Sequence, residues 1–509
     1  MNAFERFFHR EYGASRAYLL SKAILLMLAL DTWMLMIGHA GRYGIDGFNV
    51  AHFEWLDALT PLPSAASYIA VLLLTGLLAL CLVFTGLQRV PAFALFLLYT
   101  FSWSMSMLDS YQHHYFVSLV LLCLVLFPQT SARELHPPRE VESGEHASGT
   151  AVAGSRAELF GWIYVATLVA SIAGYALIDS GGHTWVAFCL LVGAIALATW
   201  FYSPGTHAPR LRSGFGFSLL GVTIAIVYGF TALSKIDENW MAGHTLLRIS
   251  AAERVFAPLA DLGERWGVPR DRAFAALATL VIPQEFALGV CYLFSIGRDR
   301  SGNAWLQLGC WVGFGLAVVL HVGAEAMGLQ IGWFSYYMLL LACCYLLPLS
   351  IVDRLATLFT WPARWLDRRA AAWEQSPRRA RAYGLGALAA TTALLLAAGS
   401  QLDLPGALAA SWIAASALGA VSLWAWLLSP SRDPRRWAAA TALAAAGMWL
   451  AIVLSPVRWD FYRFLGGDLR RRGEPAAALA AYEHAERYAP PGASRKSRII
   501  ELRKQLRKP

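Results

Sequence analysis

Three observations predict an all-α fold, a polytopic transmembrane helical bundle. Hydrophobic residues make up 57% of the 509-residue chain and charged residues only 15%, with a mean hydropathy of +0.48. The apolar residues gather in repeated runs, each near the ~20 residues that cross a bilayer as a helix. Strand-like alternation is absent, and only helices and closed barrels satisfy their backbone polar groups in lipid, so helices are what remains.

Reading apolar runs against polar breaks gives about thirteen spans. They lie near 17–38, 66–86, 90–108, 113–128, 158–179, 184–202, 215–235, 272–296, 304–327, 332–350, 382–400, 405–429 and 437–456. The opening MNAFERFFHREYGASR is too long and polar to read as a cleaved signal, so the first span is expected to be retained. Basic residues then sort the connections. Arg6, Arg10 and Arg16, Arg89, Arg133 and Arg139, Arg210 and Arg212, Arg298 and Arg300, Arg354 to Arg381, and Arg432 to Arg436 fall on one side. That side is expected to be cytoplasmic, with the N-terminus there, in a cell inner or plasma membrane; the same count puts the tail outside. The net charge of +9 comes largely from these loop arginines, and no soluble basic module points to nucleic acid. All seven cysteines lie in apolar segments, where they act as small hydrophobes and not as a disulfide framework.

The organisation follows from the breaks. Residues 1–350 read as one transmembrane domain with an inserted helix pair near 158–202, and the polar stretch 129–157, with Pro137 and Pro138, as a flexible linker. A basic cytoplasmic linker is expected over 351–381, further transmembrane helices over 382–456, and a separate tail over 457–509. Within the connection after Lys235, LLRISAAERVFAPLADLGERWGV has apolar residues at helical spacing, which predicts an amphipathic interfacial element able to roof a site. In the tail, Tyr462, Leu465, Gly466, Leu469, Gly473, Ala478, Tyr482, Ala485 and Pro490 follow the spacing of one tetratricopeptide-like helical hairpin, with a capping helix over 494–507. A single repeat is not expected to stand alone, so the tail should dock on the membrane domain or on a partner.

The stretch IAIVYGFTALSKIDENWMAG, 224–243, is apolar until Lys235. An ammonium at the edge of hydrocarbon must reach the interface, pair with an anion, or give up its proton and become a base. The topology puts His113, Lys235 and His321 at one depth in the outer half of the membrane, where a cavity would gather them. Asp31 and Glu285 sit in apolar runs, and pairing with Lys22 or Lys235 is the simplest reading of both; a proton path is the other. Trp240, Tyr111 and His244 are candidate wall residues, although an aromatic belt explains the first two equally well. Metal-ligand spacing, a phosphate-binding glycine loop and a nucleophile elbow are not found.

Four stretches carry a family resemblance: FEWLDALTPLP (53–63), SYQHHYFVSL (110–119), IVYGFTALSKIDENWMAG (226–243) and LHVGAEAMGLQIGWFSYYML (320–339). In this order, across about residues 16–350, they resemble the membrane region of the vitamin K-dependent gamma-glutamyl carboxylases and the wider HTTM (horizontally transferred transmembrane) family. The resemblance implies a lyase-type site that uses a reduced vitamin K-like quinone. It implies Lys235 as the base, His113 in the carboxylation step and His321 as a further family histidine; the wall residues Trp240 and Tyr111 are then expected to contact the flat ring. The chain departs from that pattern at Gln112, His114 and Ser234, in its additional spans near 158–202, and in lacking the large extramembrane region that engages a propeptide. The expected partners are therefore membrane lipid, a quinone, and a peptide or protein at 457–509. The alternative is a non-enzymatic membrane component for peptide maturation, secretion or immunity that uses the tail. A transporter, drawn from Asp31 and Glu285, has no inverted repeat behind it.

Overall fold

The computed structural model describes residues 7–42, 64–104, 112–127, 135, 211–248, 252–301, 303–326, 333–373, 377–428, 434–490 and 493–507. The expected spans near 158–179 and 184–202, nearly all of the 129–157 linker, the FEWLDALTPLP stretch and Tyr111 lie outside these residues.

A short strand β1 (Glu11–Gly13) precedes helix α1 (Ala14–Met34), which runs into a 3-10 turn at Met36–Arg42. Helices α2 (Ala65–Thr85), α3 (Arg89–Ser104) and α4 (Gln112–Val125) follow, then strand β2 (Leu211–Ser213) and α5 (Phe215–Ser234). Three short segments, α6 (Glu238–Met241), α7 (His244–Leu247) and α8 (Ala252–Arg265), lead to α9 (Arg270–Ser295). Next come α10 (Arg298–Ser301), α11 (Ala304–Ala326), α12 (Phe334–Leu346), α13 (Leu349–Trp373), α14 (Pro377–Leu402), α15 (Ala407–Leu428) and α16 (Pro434–Leu454). The tail is α17 (Val457–Arg471), α18 (Pro475–Arg487) and α19 (Lys496–Leu506).

Among the described residues seven helices are long and apolar enough to cross a membrane, fewer than the thirteen spans expected; three more, at His113–Val125, Phe334–Leu346 and Ala407–Ala420, are apolar but shorter. Two further differences stand out. Strands β1 and β2 pair antiparallel, Tyr12 opposite Arg212, a ladder too short to leave any alternation in the sequence. And the stretch expected as a linker at 351–381 is largely α13.

The described chain divides into two compact units. In the first, α9 packs against α5, α11 and the short α6–α8 segments. Tyr12, Phe217 and Tyr345 stack in its core, at ring separations of 4.2 and 4.3 Å. A charged clamp closes one end of this unit. The last carbonyls of α12 have no intrahelical partners, and two guanidinium groups supply them. Arg16 Nη1 donates to Cys344 O at 2.7 Å and Leu347 O at 2.9 Å. Arg298 donates through Nη1 to Leu346 O at 2.8 Å and through Nη2 to Leu347 O at 2.6 Å. Cations at a helix C-terminus are also favoured by its dipole. Asp299 balances them: Arg16 Nε and Nη2 donate to its two oxygens at 2.6 and 2.7 Å, and the Gly13 N–H donates at 2.8 Å. Burial pushes the Asp299 carboxyl upward, but the Arg16 hydrogen bonds and charge, the Gly13 N–H and Arg298 together hold it below the usual carboxylate range. Arg16 and Arg298 are 2% and 0% exposed. Two arginines that read as loop charges are thus internal.

In the second unit α2 packs against α3, α15 and α16. Ser64 caps its start, accepting from the Ser67 N–H through its side chain. Gly76 lies against the Trp33 indole, where any Cβ would collide. The tail belongs to this unit. Leu469, Ala478, Ala481, Tyr482, Ile499 and Leu502 form one buried cluster across α17, α18 and α19, and Gly466 lets the Tyr482 ring lie directly on the α17 backbone. Docking on the membrane helices follows, as expected for so small a module. Tyr462 donates to Asp403 O at 2.8 Å and Tyr488 to Asp403 Oδ2 at 2.7 Å, while Arg42 of the 3-10 turn sits 3.9 Å from the Phe464 ring centroid. Replacing Gly466 by Val is expected to wedge α17 from α18 at about 1–3 kcal/mol. Limited proteolysis should then cut within 457–509 faster than in the wild type, with the membrane helices unchanged.

Candidate functional site

In the first unit the apolar run of α5 ends at Lys235, whose own N–H closes the last turn on Ala232 O. The side chain turns back along the helix. Its Nζ donates to both carboxylate oxygens of Glu285 on α9, each at 2.9 Å, and to Thr231 O at 3.2 Å. Glu285 is buried and Lys235 partly so, with side-chain exposures of 8% and 21%. Three ammonium donors thus meet three acceptors. Of the possibilities open to an ammonium at this position, the structure selects pairing with an anion, and Glu285 is the carboxylate that answers it.

Trp240 closes the exposed flank. Asp237 caps α6 by accepting from the Trp240 N–H, and the indole Nε1 donates to Ala278 O on α9 at 2.8 Å. So fixed, the ring lies 5.3 Å from Lys235 Nζ, within cation–π range. Behind it Leu246, Ala260, Phe274 and Ala278 form a buried cluster with Phe256 against it. The amphipathic α8 folds this apolar face onto α9 and leaves Leu262, and Trp266 beyond its end, exposed. His244 opens α7 and is solvent-exposed.

Deeper along α5, Tyr228 and His321 of α11 share a hydrogen bond, Oη to Nε2, of 2.6 Å. Both are buried. Tyr292 of α9 stacks on Tyr228 at 5.8 Å, and its buried hydroxyl has no hydrogen-bond partner among the described residues. Tyr228 precedes Lys235 by seven residues, ~10 Å at the rise of an α-helix. His321 thus bonds a tyrosine one to two turns before Lys235 on the same helix, and not Lys235 itself. The α11 helix continues beyond His321 to Ala326, so the histidine lies near the end of that helix.

His113 belongs to the second unit. Its ring lies 4.3 Å from that of its neighbour His114, and His39 of the 3-10 turn is near enough to act electrostatically on both. His114 Nδ1 shares a 2.9 Å hydrogen bond with Tyr99 Oη, and Trp103 Nε1 donates to Ser118 Oγ at 3.0 Å. Asp31 of α1 acts on Tyr99. Among the described residues no group of three or more His, Cys, Asp or Glu is arranged to hold a metal ion.

The sequence-predicted residues thus fall into two groups, Lys235 with Trp240, and His321 behind them, in the first unit, and His113 in the second. Sequence reasoning missed Tyr228, Tyr292, His39 and Tyr99. Tyrosines inside apolar runs look like core aromatics, and only the chance alignment of donors across helices distinguishes them. Glu285 did carry a signal, as a carboxylate in hydrocarbon. No protein-family model, curated protein or solved structure matches the chain.

Proposed function

We propose that the chain is a membrane enzyme of the gamma-carboxylase-like, HTTM kind, with a reduced vitamin K-like quinone bound at the Lys235 end of α5. One observation carries the reading: the Lys235–Glu285 pair, held at the mouth of an apolar helix under the Trp240 ring. Ion pairs in such positions usually serve a site, because a charge in an apolar span is otherwise disfavoured. The residues fit the ligand class. A flat apolar ring with hydroxyls needs an aromatic face, apolar neighbours and a polar pair at its edge, and Trp240, the exposed Leu233 and Ile236, and Lys235 with Glu285 supply them. When bound, a quinol brings an acidic hydroxyl and reducing electrons. Lys235 orients that hydroxyl, and His321 holds the Tyr228 phenol behind it. His113 is proposed for the carbon dioxide-addition step and Tyr111 for the wall.

The same reading takes thirteen crossings, the site on the outer side and the tail, also outside, as a single tetratricopeptide-like unit. Docking of α17 on the turn that ends α1, and of Tyr488 on the α14–α15 link, supports one side for those three ends. Native mass spectrometry of detergent-purified wild type and Lys235→Ala tests the proposal. A co-purified quinone in the wild type, with oxidation of the reduced form lost in Lys235→Ala, is the expected result; a folded wild type with neither quinone nor oxidation overturns it. That outcome would favour the second reading, a peptide-handling membrane component, for which the exposed cations Lys496, Lys504 and Arg507 of the tail are the supporting observation.

A further inference from the structure

We propose that Glu285, and not Lys235, takes the proton from the ligand hydroxyl, and that Lys235 holds the oxygen left behind. The inference rests on the quinol reading of the site and assigns its two charges separate tasks. An ammonium has three donors and no acceptor. All three donors of Lys235 are engaged, by the two Glu285 oxygens and by Thr231 O. A hydroxyl seeking an acceptor finds none on Nζ. A carboxylate offers about four lone-pair sites; the Lys235 bonds use two of them and the Thr231 side chain takes another, which still leaves one. The acceptor with capacity is Glu285.

Charge balance favours the same assignment. Before transfer the site holds an ammonium, a carboxylate and a neutral hydroxyl, and its sum is zero. The O–H bond of the ligand breaks, an O–H bond forms on a Glu285 Oε, and the electron pair stays on the ligand oxygen. The sum is still zero. Nζ then moves its donors from a carboxylate, now neutral, to the new oxygen anion, which lies beside it. A partly buried site therefore never carries an unbalanced charge, the condition that low-dielectric surroundings penalise most. Trp240 reinforces the division by keeping its ring over the cation at both stages.

The test uses the full chain in detergent and 4-methoxy-1-naphthol, a quinol mimic with a single hydroxyl, at a pH where the free probe is neutral. Ultraviolet absorption reads the probe's anion, infrared difference spectra read protonated carboxyl groups, and equilibrium dialysis reads binding. In the wild type, probe binding is expected to raise the naphtholate band and a protonated-carboxyl carbonyl signal together. Glu285→Gln is expected to bind the probe and lose both signals, and Glu285→Asp to regain the naphtholate band. A naphtholate band that persists in Glu285→Gln overturns the assignment, as does a wild type that forms it with no carboxyl signal. Should Glu285→Gln not fold, the wild-type infrared result decides alone. A wild type that does not bind the probe overturns the quinol reading and this inference with it, whereas binding without either signal overturns the inference only.

Discussion

Replacing Asp299 by Ala is expected to give the largest loss of stability of any single substitution in the first unit. The change removes the carboxylate that bonds Arg16 and sits beside Arg298, leaving only Asp353 to act on Arg16 from further off, and removing one partner of a buried ionic network costs about 3–5 kcal/mol. Such a loss approaches the whole stability of a typical domain. The variant should fail to accumulate as monodisperse protein in detergent, while Arg300→Ala, at an exposed guanidinium paired with Glu11, should behave as the wild type. The same carboxylate sets a pH dependence. Its native value is held below the usual range, so the unfolded chain binds the proton more readily. The contribution is complete above about 3.9, the ordinary Asp value, and is lost as pH falls from there through the lower native value. Asp299→Asn should lose that part of the acid sensitivity. Thermal unfolding between about pH 6 and about pH 3, either side of that ordinary value of about 3.9, checks it.

A double-mutant cycle on Lys235 and Glu285 should return a coupling of about 1–3 kcal/mol. Lys235→Met leaves a buried carboxylate without its cation, and Glu285→Gln leaves the cation without its anion. The doubly substituted protein has neither charge, so it should be more stable than the sum of the single changes implies. Lys235 is partly exposed, and solvent keeps the coupling at the lower end of what a fully buried pair would show. Additive single effects would mean that the two side chains do not act as a pair. Ligand binding should separate from stability, because the double variant recovers the fold and not the site.

Much of the architecture was legible in the sequence, because lipid leaves a chain few options. Apolar runs mark helices, and among the described residues the helices lie where those runs were. Lys235 stood out because it ends a run, and Glu285 because it interrupts one. What could not be read was partnership. Lys235 meets a residue 50 positions away and Arg16 one 283 positions away, and nothing local marks either. Arg16 and Arg298 misled for a related reason: an arginine at the end of a span has the same sequence signature whether it faces water or caps a distant helix. The Tyr228–His321 bond was hidden more deeply, since a tyrosine in an apolar run needs no polar partner to be explained.

The Arg16 clamp also dictates an order of events during synthesis. Its guanidinium emerges with the first helix, but Asp299 follows 283 residues later and the Leu347 carbonyl 331 residues later. At a translation rate of ~5–20 residues per second the wait is roughly 15–65 s. For that interval the first helix carries a cation with no native counter-ion, and the N-terminal segment must be kept at the aqueous surface or in the hands of the insertion machinery. The unit therefore cannot lock from its beginning. It closes from its end, when the turn after α12 arrives and gives an arginine made near the start of the chain its place.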